Sequence, residues 1–226
     1  VGGTYVTGQF KNTDHINIER DTLYNNNIIN SDWGFRDTRT EFMFRNIGAN
    51  VSFKHNFAKP NKEWTVDANY NASKNDNSGD YYTQYFYTNN NPKTSPLVER
   101  TGGGGVTKYF TIQSDYVNPI TDKLKIEMGV RGAIRNYKSS LDNYVQNGSG
   151  QYILIPGFSN NYEFTDQVYA AYTTFSQKIK DFTYQIGLRL ESSNYTGTLI
   201  STNKSFKNDY PFSLFPSVFM TYKLND

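Results

Sequence analysis

Residues 123–135, KLKIEMGVRGAIR, alternate apolar and polar side chains with hardly an error. Leu124, Ile126, Met128, Val130 and Ile134 share one parity; Lys123, Lys125, Glu127, Arg131 and Arg135 share the other. A period of two describes a β-strand with one apolar and one polar face. The pattern recurs over Phe182–Leu190, with Arg189 and Glu191 on the polar parity, and over Trp64–Tyr70 and Phe212–Leu224. No stretch carries a convincing helical period. The pattern predicts strands over 4–24, 35–57, 63–87, 105–118, 123–144, 162–179, 182–200 and 211–224. Segments 105–118 and 162–179 alternate poorly, with aromatics on both parities.

Connections alternate in kind. AKPNK (58–62), NPIT (118–121) and KIKD (178–181) read as tight turns. Long polar loops are expected over 25–34, 88–105, 145–161 and 201–210. This rhythm describes an up-and-down meander with one plain and one elaborated end, the asymmetry of outer-membrane barrels. The strands also exceed the roughly five to six residues usual in a globular sandwich and the roughly nine to eleven that cross a bilayer. Tyr81, Tyr82, Tyr85, Phe86, Tyr87, Tyr162, Phe164, Tyr210 and Phe212 crowd predicted strand ends. There they suit interfacial aromatic girdles, or simply the β-propensity of aromatic residues.

Composition narrows this only a little. Mean hydropathy is −0.71 and no run of about 18 apolar residues exists, so no transmembrane helix is expected. A barrel needs only alternate residues apolar, so low mean hydropathy leaves it open. With 23 basic and 21 acidic residues the chain carries no net nucleic-acid footprint. It has no cysteine, which removes disulfides and cysteine-bearing metal sites. The opening VGGTYVTGQF lacks the basic start and apolar run of a signal peptide, so the chain reads as mature or cut from something longer.

Candidate chemistry is thin. Only His15 and His55 could serve a serine hydrolase. His55 shares the apolar parity of Val51, Phe53 and Phe57, and TDH (13–15) is generic; no catalytic residue is assigned. NDNSGD (75–80) lacks the order of a calcium loop and reads as a solvated tip. TGGGG (101–105) lacks the Lys-Ser/Thr of a phosphate loop, and its glycines suggest a mobile loop. The sequon-like NAS, NGS, NYT and NKS are what an asparagine-rich chain produces by chance. No metal or cofactor is expected.

Several segments carry a family likeness. SLFPSVFMTYKLND (213–226), VYAAYTTFSQKIKDFTYQIGLRLESSNYTGT (168–198), WTVDANYNASKNDNSGDYYTQYFY (64–87) and QSDYVNPITDKLKIEMGVR (113–131) resemble mid-barrel strands and turns of the TonB-dependent-receptor-like outer-membrane β-barrels of Bacteroidota. The resemblance implies an all-β, antiparallel, up-and-down transmembrane barrel, with residues 1–226 one internal section of a larger 22-strand wall. It implies the outer membrane of a Gram-negative bacterium and import of a bulky nutrient such as a siderophore, glycan or peptide. Implied partners are outer-membrane lipid, the receptor's own plug domain (absent from this chain), the TonB complex through that plug, and a surface lipoprotein. Lys125, Glu127, Arg131, Arg135, Arg189 and Glu191 would then line the lumen. Two other expectations stay beside it: a small closed eight-stranded barrel acting as anchor or adhesin, and a soluble carbohydrate-binding β-sandwich.

Overall fold

A computed structural model describes residues 1–24 and 27–224. Its strands are β1 (Gly2–Tyr24), β2 (Asn27–Asn56), β3 (Glu63–Phe86), β4 (Leu97–Thr121), β5 (Leu124–Gln146), β6 (Tyr152–Leu154), β7 (Asn160–Ile179), β8 (Phe182–Leu199) and β9 (Lys204–Tyr222). All pairings are antiparallel, in the order β1-β2-β3-β4-β5-β7-β8-β9, with the short β6 attached to β5. This is the expected meander of eight long strands. It is an open sheet: β1 and β9 are its two edges and do not pair with each other among the described residues.

The strands are longer than the sequence pattern suggests. β2 has 30 residues and would reach about 100 Å at ~3.4 Å per residue. The difference lies in the stretches taken for loops. Residues 27–34 belong to β2, 97–105 to β4 and 204–210 to β9. Residues 25–26 of the first expected loop lie outside the described residues. Asn, Gly and Ser disfavour strands intrinsically, but ladder pairing holds them extended here, with β3 and β5 on both sides of 99–105 and a single neighbour, β1 or β8, beside 27–32 and 204–210. TGGGG is thus strand rather than mobile loop, and NDNSGD is strand rather than tip. Tight connections stand at 57–62, 122–123 and 180–181, where Asn61 and Lys180 take left-handed backbone at φ 58° and 54°. NPIT (118–121) itself belongs to β4, so that turn falls on Asp122 and Lys123 instead, and 178–179 of KIKD end β7. At the other end stand the loops 87–96 and 147–159, the latter carrying β6 and a 3₁₀ turn at Pro156–Phe158.

Register decides which side chains share a face. Ile134 pairs with Phe110, Phe110 with Tyr70 and Tyr70 with Ala49, so these four lie in one row on one face. Extended toward the tight turns, that face carries Val51, Phe53, Val66, Ile112, Met128, Val130, Phe175, Ile186, Leu188, Val218 and Met220. These side chains form a continuous exposed apolar band; Val130 is 57% and Met220 68% exposed. Near the tight turns, Trp64, His55, Phe57, Tyr116 and Tyr184 rim the band, with ring centroids 4.5 Å apart for His55–Phe57 and 6.0 Å for Phe57–Tyr116. The Trp64 indole donates to Ser114 Oγ at 2.8 Å.

Farther from the tight turns the two faces exchange character. The face that was apolar now carries ion pairs: Lys11–Glu41 (3.5 Å), Lys74–Asp76 (3.0 Å) and Lys138–Glu163 (2.5 Å). The opposite face turns aromatic, with Phe10, Phe42 and Phe44 stacked at 6.1–6.3 Å and Tyr162, Phe164 and Phe206 at 6.3–6.4 Å. Tyr162, Phe164 and Tyr210 therefore stand on the face away from the band, and Tyr82 and Phe86 well beyond it; none joins an interfacial girdle. Their position at predicted strand ends was misleading because the strands run on.

The only buried hydrophobic residues among those described are Ala133 and Ala170. A soluble fold needs a contiguous apolar core against a second layer, and this sheet has neither. The soluble sandwich is overturned on that ground.

Candidate functional site

Odd-numbered residues of β5, even-numbered residues of β7 and odd-numbered residues of β8 share the face opposite the apolar band. Rows across this face place Arg131 beside Ala170 and Glu191, Arg135 beside Asp166, and Tyr172 beside Arg189. Small residues at Ala133, Ala170 and Ser193 let the long arginines lie over them, which is why these three are buried while Arg135 stays half exposed.

The result is a basin of about 490 Å³ lined by Thr107, Tyr109, Arg131, Ala133, Arg135, Asp166, Val168 and Arg189. Arg135 donates from Nε to Asp166 Oδ2 at 2.8 Å and also from Nη2 to the same oxygen. Arg189 donates from Nε and Nη2 to Glu191 Oε2 at 3.0 and 2.8 Å, and Ser193 Oγ donates to Glu191 Oε1 at 3.2 Å. Asp115 accepts from Gln113 Nε2 at 2.8 Å and from the Tyr172 hydroxyl, whose ring lies 5.8 Å from the Arg189 guanidinium. Two of the three arginines are thus held by carboxylates. Arg131 has no ion-pair partner among the described residues, so its five donors face the basin uncommitted.

Of the six residues expected to line the lumen, the structure gathers Arg131, Arg135, Arg189 and Glu191 here. Lys125 and Glu127 lie on the same face but nearer the tight turns, paired to each other at 2.8 Å beside Glu63, Lys123 and Thr183. Sequence reasoning missed Asp166, Asp115, Tyr172 and Tyr109. All four sit on the two strands with poor alternation, where parity gave no face; a carboxylate across the ladder from an arginine was the only available signal.

His15 is bound in a way its sequence context did not suggest. Its Nδ1 lies 2.6 Å from Asp37 Oδ1, its Nε2 3.3 Å from Asn17 Oδ1, and its ring stacks 5.4 Å from Phe35. This cluster lies on the face of the apolar band, far beyond it, and away from the basin.

An exposed apolar band, a charged opposite face and an all-antiparallel meander define a β-barrel wall built for an outer membrane. The chain belongs to the outer membrane protein beta-barrel family, whose family model matches residues 55–226. Its place is the outer membrane of a Gram-negative bacterium. No curated protein matches it by sequence. Among solved structures it is similar to the ferric citrate transporter FecA in its unliganded form, at 12% identity and a TM-score of 0.41, covering 99% of this chain and 42% of that one. It is also similar to the ferric yersiniabactin uptake receptor FyuA from Yersinia pestis, at 11% identity and a TM-score of 0.33, covering 99% of this chain and 44% of that one. The chain thus spans less than half the length of either.

Proposed function

We propose that this chain is a section of the wall of a TonB-dependent-type receptor, of the kind Bacteroidota carry, that imports a bulky nutrient across the outer membrane. The observation that supports this most is the open sheet with two long unpaired edges. Unsatisfied backbone groups at a bare edge cost several kcal/mol each in lipid, so both edges call for further strands. A wall wider than eight strands encloses room for a plug, and the basin arginines face that room. In this reading Arg131 receives a carboxylate or another acceptor of the plug, and the plug couples to TonB. The aromatic groups around Phe44 and Phe164 lie above the basin on the same face, where they suit stacking on the flat surfaces of a siderophore or sugar. A surface lipoprotein that hands cargo to the loop end completes the expected set of partners.

The second reading, a small closed barrel acting as an anchor, draws on the strand number, since eight is the smallest common count. The separated edges favour the first. An immunoblot of outer-membrane fractions with an antibody against residues 147–159 distinguishes them. The receptor reading expects a band several times heavier than the 26.0 kDa of this chain. A membrane band near that mass overturns it.

A further inference from the structure

Above the basin the lumen face changes kind. From β2 to β5, the row Asn46–Ser73–Thr107–Tyr137 and the row Phe44–Asn75–Gly105–Ser139 hold no charged side chain. Neither do the next two, through Phe42–Leu141 and Thr40–Asn143. Carried across the remaining strands, these four rows meet a single charge, Lys204 at the start of β9. Charge returns one row below, at Arg135 and Asp166, and one row above, at Asp14 and Glu99. Over the same height the outer face carries the ion pairs Lys11–Glu41, Lys74–Asp76 and Lys138–Glu163. Charge is thus sorted by face, and the inner side is left a neutral belt.

Rings and small neutral polar groups fill that belt. Phe44 leans across Gly8, and Phe206 across Gly197; in each cross-strand pair the ring takes the space that a Cβ on the glycine would need. A ring in its neighbour's Cβ position lies along the sheet and turns one face to the lumen. Phe10 stands beside Phe44 with the rings within 13° of parallel, and Tyr162 stands beside Phe164 at the same angle. The second cluster opens at Tyr137 on β5, three strand spacings or ~14 Å from β2. On the floor between the clusters, the Asn75 amide lies over Gly105. Covering a glycine with a ring strengthens a ladder, but ladder strength gives no reason for four rows to exclude charge.

We propose that this belt binds an uncharged oligosaccharide, which makes the substrate of the import reading a neutral glycan. The binding stands on the belt alone; that the glycan is cargo rests on the import reading. An anionic chelate would shed water here with no cation in reach but Lys204. A wholly apolar cargo would strip water from the amides and hydroxyls and leave them unpaired. A neutral sugar chain meets both demands, with C–H faces for the rings and hydroxyls for Asn, Ser and Thr.

The test takes the protein purified from outer membranes in detergent to an array of uncharged, carboxylated and sulfated oligosaccharides. Binding of ferric citrate and of a ferric catecholate is measured beside it. The tightest-bound member is expected to be uncharged. Binding of no uncharged member, or tighter binding of an acidic glycan or a ferric chelate, overturns the proposal, and this arm needs no variant. Phe44→Leu and Phe206→Leu are each expected to weaken the best-bound member about three- to tenfold. Gly8→Ala with Gly197→Ala keeps both rings but lifts them from their places, and a similar loss is expected. Folding is checked by heat-dependent electrophoretic mobility. Unchanged affinity in all these variants would leave the rings a purely structural role and overturn the proposal. Uptake of the bound glycan by cells, with and without an uncoupler of the proton-motive force, separates the two readings. Glycan binding without energised uptake removes the import reading and keeps the belt's ligand. Energised uptake of a ferric chelate with no glycan binding does the reverse.

Discussion

At the scale of single residues, parity separates side chains that differ by one position. Val130 and Arg131 are adjacent, yet one projects into lipid and the other into the basin. Val130→Arg places a cation in the middle of the apolar band and is expected to cost about 2–4 kcal/mol. Arg131→Leu loses no ion pair and is expected to stay within about 0.5 kcal/mol of the parent. Urea unfolding in phospholipid vesicles measures both, and equal costs would mean that the face assignment is wrong. His15 gives a second residue-level expectation. It is exposed, and its hydrogen bond to Asp37 holds its pKa above the usual 6.5. A raised folded-state pKa means that the pair's contribution to stability is complete below the unfolded value and is lost as pH rises through the folded one. Histidine NMR in micelles, with His55→Gln to assign the signals, should show His15 titrating above 6.5. Asp37→Asn should bring it back, and an unshifted titration in the parent would mean the bond does not form.

At the scale of elements, glycine placement in β4 is the sharpest test of the strand assignment. A Cβ at Gly103 would meet the Ser140 carbonyl oxygen at 2.2 Å and Leu141 Cα at 3.1 Å, both backbone atoms of β5 that cannot rotate away. A Cβ at Gly102 would meet nothing within 4 Å. Gly103→Val is therefore expected to cost at least about 1–3 kcal/mol through forced strand separation, while Gly102→Val is tolerated or mildly favourable through β-propensity. The fraction of protein with heat-dependent mobility reports the difference. If this stretch were a mobile loop, both variants would behave alike. That contrast also marks how far the sequence was legible. Where alternation was clean, as over Leu124–Ile134 and Phe182–Leu190, strand, face and lumen candidates were all readable. Over 97–105 and 204–210, residue chemistry pointed to loop while neighbouring strands imposed strand, and no local signal announces a ladder partner. Asp166 and Tyr172 were missed for a related reason: aromatics on both parities of β7 hide its faces. They do so because the membrane band ends partway along the strand and the polarity of the faces then reverses.

At the scale of the whole molecule, that reversal fixes how the wall stands in the membrane. The apolar band lies against the tight turns, and the strands run well beyond it toward the 87–96 and 147–159 loops. One end of the sheet therefore barely clears the lipid while the other projects far out of it, and the projecting end belongs outside the cell. The absence of cysteine from this chain makes the orientation measurable, since any introduced thiol is the only one it contributes. Phe158 is 72% exposed in the longer loop. Asp122 lies in the two-residue turn between β4 and β5. A membrane-impermeant maleimide added to intact cells should label Phe158→Cys at once, and Asp122→Cys only after the outer membrane is permeabilised. The reverse result would turn the wall over.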